Sequence, residues 1–396
     1  MSNQTELKKV LFFTPFIAGI GGVEKTAHEI KQACKERGMP FELYTLFERE
    51  SPSDSKFIAT KSIWFTISRL LLGGTFTVFL WTYLALKKNT RLAATFDNTV
   101  IIVRNAPMAY AILKLNNKLK LNAKVVYLPS HYSYDIYSPI IALTKARKDY
   151  LNYFKNCINQ YSEALFERKL LVTPQLNIVT FSHNLANRLT SNYQTASKDM
   201  FSVIRPGISP YILDVGATNR SQQEPLNFVY VGRVEDGKNL DLLLNYLKTS
   251  AHQNYRLRVI GSGAQLKRLK AQYQSDKVFF TGPQHGEALA QEYAKANYLI
   301  LPTFNESYGH VISESLCVGT PVIGFSFNEC NNAILELITP GENGLIITAN
   351  TQTAFDETVE QAIAQRTHFA VTATKIASCS RAEFCWKLFL NKLFAI

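Results

Sequence analysis

The sequence predicts an α/β protein of two doubly wound domains, each a parallel sheet wrapped by helices. Three observations predict it. Short apolar runs alternate with helical patterns along the chain, the rhythm of βαβ units. That rhythm is interrupted by a polar, turn-rich stretch from residue 209 to about 224, which holds Pro210, Gly216, Asn219 and Ser221-Gln-Gln-Glu-Pro225, and it resumes afterwards. A chain of 396 residues is also long for one core and comfortable for two domains of roughly 200. The expected division is 1–210, a linker, and 222–380.

In the first half, Val10-Leu-Phe-Phe13 reads as a buried strand, followed by Gly19-Ile-Gly-Gly22 and a helix from about Val23 to Glu36 that stops at Gly38. Gly21 and Gly22 would let backbone approach a ligand, and the helix N-terminus offers N–H groups to an anion. Residues 63–86 are strongly apolar, with an uncharged run from Leu70 to Leu86. That run sits at the lower edge of a bilayer span. A single crossing there would separate strand 10–13 from strand 100–103, so a core helix or helical pair is expected, with an exposed face able to touch lipid. Asn98–Arg104 and Lys124–Leu128 are the next strands, and the second delivers Pro129-Ser-His131 at its carboxyl end, where ligands of such sheets sit. A lone His such as His131 is more often a structural residue than a catalytic one. Residues 140–172 read as basic helix, 177–182 and 201–204 as strands, and Arg205-Pro-Gly-Ile208 closes the domain.

The second half restarts at Leu226–Val231, followed by the loop Gly232-Arg-Val-Glu-Asp-Gly-Lys-Asn239. Strand and loop pairs follow at Arg256–Ile260 and Val278–Phe280. The richest stretch is residues 299–324: a strand, the loop from Thr303 to Gly309, a helix ending at Gly319, and the strand after Thr320-Pro321. Glu306 in the loop and Glu314 in the helix frame an anion-binding helix N-terminus made of Ser307, Tyr308, Gly309 and His310. An ionised carboxylate can accept hydrogen bonds from two neighbouring hydroxyls. Alone, two Glu residues eight apart are common, and Glu306 could be a loop charge and Glu314 a helix-surface residue.

The Glu-x7-Glu spacing, with Pro302, Gly309 and Gly319-Thr-Pro321 around it, resembles the donor-sugar motif of retaining glycosyltransferases of family 4. Gly21-Gly-Val-Glu24 resembles that family's first loop, and Gly232-Arg through Lys238-Asn239 its Gly-Arg…Lys-Asn element. The resemblance implies the GT-B architecture: two Rossmann-like domains facing across a cleft, the first (1–210) for the acceptor and the second (222–380) for the nucleotide sugar. It implies that the closing helix, 381–396, packs back on the first domain. The implied reaction is retaining transfer of a hexose from a UDP-sugar. The implied catalytic residues are Glu306, His131, Arg233 and Lys238. Gly21, Gly22, Arg233, Lys238, Ser307, Tyr308, Gly309, His310 and Glu314 would hold the donor. Arg205 departs from the family's usual Pro-Asn-Gly-Val type sequence. No Asp-x-Asp occurs, so the ligand pair of a metal-bridged diphosphate is missing; no metal and no cofactor are expected, and Arg233 and Lys238 would neutralise the diphosphate.

Charge adds an expectation about partners. Residues 1–210 carry 27 Lys+Arg against 14 Asp+Glu, and the remainder 16 against 17. A basic half suggests an anionic neighbour: a membrane surface, a nucleic acid or a phosphorylated acceptor. With no nucleic-acid signature in the sequence, nucleic acid is not expected. The acceptor expected is a glycan or lipid-linked sugar of surface polysaccharide or lipopolysaccharide biosynthesis, and the place cytoplasmic, peripheral on the inner membrane. The rival is an inactive GT-B-fold binding protein, or one that uses its basic half on nucleic acid. The six cysteines show no metal or disulfide spacing and read as buried thiols, and the hydrophilic start predicts no signal peptide.

Overall fold

The computed structural model describes residues 9–15, 22–46, 55–58, 63–146, 148–173, 176–193, 200–216, 225–327 and 333–396. The chain divides into two compact units, unit 1 of residues 1–204 with 389–396, and unit 2 of residues 205–388.

Unit 1 is built on a seven-stranded parallel sheet of β1 (Lys9–Thr14), β2 (Phe41–Thr45), β3 (Ser55–Phe57), β4 (Thr99–Val103), β5 (Lys124–Tyr127), β6 (Asn177–Thr180) and β7 (Phe201–Val203), in the order β3-β2-β1-β4-β5-β6-β7. Its helices are α1 (Gly22–Glu36), α2 (Ile63–Lys88), α3 (Thr90–Ala94), α4 (Ala106–Leu119), α5 (Ser133–Ala146), α6 (Tyr150–Leu171) and α7 (His183–Tyr193). The central strands β1 and β4 are apolar almost throughout, as a strand covered on both faces must be, and β4 is buried along its whole length. Phe13, Phe96, Ile101 and Phe166 join the core between this sheet and the helices. Strand order reverses at β1 and β4, and the crevice outside their carboxyl ends is the expected ligand position.

Unit 2 repeats the plan with six strands. They are β8 (Leu226–Val231), β9 (Tyr255–Ile260), β10 (Val278–Gly282), β11 (Tyr298–Leu301), β12 (Val322–Phe325) and β13 (Gly344–Ile347), ordered β10-β9-β8-β11-β12-β13. Around them lie α8 (Pro210–Leu213), α9 (Leu240–Thr249), α10 (Leu266–Tyr273), α11 (Gly286–Lys295), α12 (His310–Cys317), α13 (Gln352–Glu383) and the start of α14 (Trp386–Ala395). Here the order reverses at β8 and β11, so the loops after these two strands border the switch point.

Several details differ from the sequence-based expectations. Residues 210–213, expected in the linker, form α8, whose Ile212 is fully buried and which packs on α11 and α12; residues 217–224 lie outside the described residues. The closing segment is not one helix from 381: α13 runs to Glu383, the chain breaks at Phe384, and α14 restarts at Trp386. Phe389, Leu390 and Leu393 of α14 are fully buried, and its end joins unit 1 through Phe181 against Phe389 and Lys124 Nζ donating to the Phe394 carbonyl at 3.1 Å. Arg205 acquires a role in unit 2, pairing with Glu383 and donating to the Glu336 carbonyl at 2.8 Å. Beside it Gly207 is required, because a Cβ there would lie 2.3 Å from the Trp386 nitrogen. Residues 63–88 form the single helix α2, with Thr77 and Thr82 fully buried, and no helix among the described residues is long and apolar enough to cross a membrane. Of the cysteines, Cys34 and Cys317 are buried, Cys157 and Cys385 half-buried, and Cys379 exposed, which corrects the uniformly buried reading; Cys330 lies outside the described residues.

Candidate functional site

The loops after β8 and β11 bring together residues 68 apart in sequence. Lys238 Nζ donates to Glu306 Oε2 at 2.8 Å, and both side chains are about four-fifths buried. A tight turn, Asp236–Lys238, ends at Asn239 in the left-handed region (φ 51°). Asn239 Nδ2 then donates to the Pro302 carbonyl at 3.3 Å and ties the two loops. On the far side, the Ala333 N–H donates to the Glu306 carbonyl at 2.9 Å. Arg233 is anchored by its backbone, whose carbonyl accepts from the Tyr230 hydroxyl at 2.8 Å, while its guanidinium is 70% exposed and paired with Glu235. An exposed pair of this kind is worth about 0–1 kcal/mol, so Arg233 can leave it for a ligand at little cost.

After Glu306 the chain passes Ser307 and the buried Tyr308 to Gly309, the residue before α12, at φ 93°. Glycine suits this position: a side chain would be strained at that φ, and its Cβ would press Ile312 Cδ1 at 3.0 Å. The turn aims the first N–H groups of α12 toward the loop, and His310 opens the helix with its ring edge-on to Tyr308. Glu314 is not a helix-surface residue. It is 3% exposed and accepts from the Tyr293 hydroxyl at 2.8 Å, and burial first, then this carboxylate, pushes the Tyr293 phenol well above its ordinary range. Glu306, Lys238, Ser307, Gly309 and His310 thus share one loop cluster, with Arg233 on its rim.

In unit 1, Gly21 lies outside the described residues, and Gly22 is the first residue of α1. His131 follows β5, and both ring nitrogens are engaged: Nδ1 with Ser130 Oγ at 3.0 Å and Nε2 with Glu163 Oε1 at 3.5 Å. Burial alone would lower its pKa, but the Glu163 hydrogen bond and the charges of Glu163 and Glu167 outweigh burial and raise it. Glu167 is 1% exposed; Ser133 and Tyr193 donate to its Oε2 at 2.8 and 2.6 Å, and its Oε1 has no hydrogen-bond partner among the described residues. Burial, then the like charge of Glu163, pushes this carboxyl up to about 7.

Sequence reasoning missed these two carboxylates and Arg104. The Arg104 side chain leaves the end of β4 at the switch point, is 8% exposed, and lies over the Phe181 ring at 5.3 Å. Its Nε and Nη1 have no hydrogen-bond partner among the described residues. Burial pushes its pKa down to about 10, against the opposing pull of Tyr127 and Glu24. The signal that could have found it is a cation placed directly after an apolar strand, where burial is certain and a partner is not.

Residues 217–376 match the family described as glycosyl transferases, group 1. An uncharacterized glycosyltransferase of Methanocaldococcus jannaschii is 28% identical over 203 residues, 46% of this chain and 50% of that protein. The chain spans about half the length of the curated relatives it matches. Among solved structures, the apo lipopolysaccharide outer core galactosyltransferase WaaB is similar at a TM-score of 0.68, with 16% identity and coverage of 98% of this chain and 99% of that one. Anabaena HepE in complex with UDP-glucose is similar at a TM-score of 0.66, with 13% identity and coverage of 98% and 100%. The fold is therefore GT-B, and residues 217–376 are similar to the group 1 glycosyl transferases.

Proposed function

We propose that the chain is a retaining, metal-independent glycosyltransferase that moves a sugar from a UDP-sugar to a glycan or lipid-carried acceptor of surface polysaccharide or lipopolysaccharide biosynthesis. The observation that carries this reading is the Lys238–Glu306 pair at the switch point of unit 2. It sets a cation for the diphosphate and a carboxylate for the sugar hydroxyls side by side, ahead of the α12 N-terminus. Arg233 moves from Glu235 onto the phosphates, and Glu314 takes the ribose diol. Unit 1, with its excess of basic residues, takes the acceptor, and His131 is its candidate catalytic residue. Likeness to the galactosyltransferase WaaB and to UDP-glucose-bound HepE supports the choice of donor and setting.

In the transfer step the acceptor oxygen bonds to the anomeric carbon on the face from which the UDP oxygen departs. The acceptor proton passes to that departing phosphate oxygen. Negative charge grows on the leaving diphosphate, and Lys238 and Arg233 stabilise it there more than in the ground state. Incubation with UDP-sugars in a chelating buffer should give a glycoside that keeps the donor's anomeric configuration, read by NMR. Lys238→Ala should lower kcat by about 100-fold, equivalent to roughly 3 kcal/mol of transition-state stabilisation. Inverted product, or undiminished turnover in both Lys238→Ala and Glu306→Ala, rejects the reading.

A further inference from the structure

Helix α6 turns an apolar face outward over its first three turns. Tyr150, Leu151, Phe154, Ile158 and Tyr161 are 60, 83, 61, 50 and 72% exposed. At 3.6 residues per turn these five fall within an arc of about 100°. The polar side chains take the other side. Asn159 accepts from the Gly74 N–H of α2 and Gln160 donates to Ser138 Oγ of α5, each at 3.0 Å. Asn159 and Gln160 sit about 130° from the middle of the apolar arc, one on each side of its opposite face. A helix on a water-facing surface shows the reverse pattern.

The surroundings of the stripe are basic. Lys155, exposed, flanks the Leu151 edge, and Lys145 and Lys148 are exposed just before the helix. Between residues 136 and 162 the sequence has four basic residues and a single acidic one, Asp149, which caps α6 by accepting from the Asn152 N–H. We propose that this face of α6 docks the protein on an anionic lipid bilayer, with Leu151, Phe154 and Ile158 inserted below the headgroups. Tyr150 and Tyr161 would sit at headgroup level, an apolar body with a wet hydroxyl, and the lysines would meet lipid phosphates. Charge selects this occupant over a second copy of the chain, since pairing two such faces would bring their lysines together, whereas an anionic headgroup layer complements them. The inference deepens the reading of a lipid-carried acceptor by naming the surface that would bring unit 1 to it.

Co-sedimentation of the full chain with phosphatidylglycerol-containing vesicles, against pure phosphatidylcholine vesicles, tests it. Wild type should bind the anionic vesicles and release as salt rises. Leu151→Ser with Phe154→Ser should weaken binding by about tenfold or more, and Lys148→Gln with Lys155→Gln should weaken it and flatten its salt dependence. All four positions are exposed, so an unchanged melting temperature will accompany both variants. Lys238→Ala should bind vesicles like wild type, which separates this test from the donor reading. No binding by wild type, or binding unchanged by the serine pair, overturns the proposal. So does dimeric wild type that the serine pair renders monomeric in sedimentation equilibrium, because the stripe would then be an interface between copies.

Discussion

Arg104, directly after β4, and Lys238, in the loop after β8, are both cations beyond an apolar strand at a switch point, but their surroundings differ. Lys238 has a carboxylate at 2.8 Å; Arg104 is more deeply buried, with two nitrogens unpaired among the described residues. An unsatisfied buried donor costs about 1–3 kcal/mol, and a charged one more. Arg104→Met, which keeps the length and removes the charge, should therefore raise the unfolding free energy by about 1–3 kcal/mol, read as a higher denaturant midpoint at unchanged slope. A fall of similar size would show that the guanidinium supports the fold. That Lys238 and Glu306 are worth singling out was legible in the sequence from loop spacing, and the structure pairs the two side chains. Arg104 was not, since a residue's lack of partners is a property of packing.

Helix α6 joins two behaviours, an exposed apolar stripe at its start and two buried carboxylates near its end. Glu167 ionises at about 7 in the folded protein against 4.5 ordinarily. The folded state thus holds a proton that the unfolded state has lost, and stability falls as pH rises between those values, by about 3 kcal/mol. His131, whose pKa is also raised, acts in the same direction: its stabilisation is present at low pH and lost as pH rises through its folded pKa. Melting temperature should therefore drop between pH 5 and pH 8 (roughly the window of these two groups), and Glu167→Gln should flatten most of the drop and be the more stable protein at the alkaline end. A wild-type profile flat over that window contradicts the assignment. Among elements, most strands were readable as apolar runs, while β2 and its edge neighbour β3 were not: they carry Glu42 and Lys56, which pair with each other, and such polar strands lack an apolar signal. The break between α13 and α14 was equally hidden, because Phe384 fits a helical apolar stripe and is buried at the break itself.

For the whole molecule, two sheets with the same switch-point topology serve different ends. Unit 2 gathers Arg233, Lys238, Glu306 and the start of α12 at its switch point, and unit 1 carries the basic excess and the apolar face of α6. The two-unit architecture was legible because strand and helix alternation restarts after a polar stretch, though the boundary at residues 204 and 205 fell earlier than the turn-rich sequence suggested. Composition marks a surface linker, whereas α8 is polar-flanked yet docked through Ile212. The central claim is that the loop cluster of unit 2 holds a nucleoside diphosphate through side chains and helix N–H groups alone. Calorimetric titration of UDP into the full chain in a chelating buffer tests it most directly. Binding by wild type that weakens about tenfold or more in Lys238→Ala is the predicted result; no binding of UDP by wild type, or equal affinity in the variant, would contradict it.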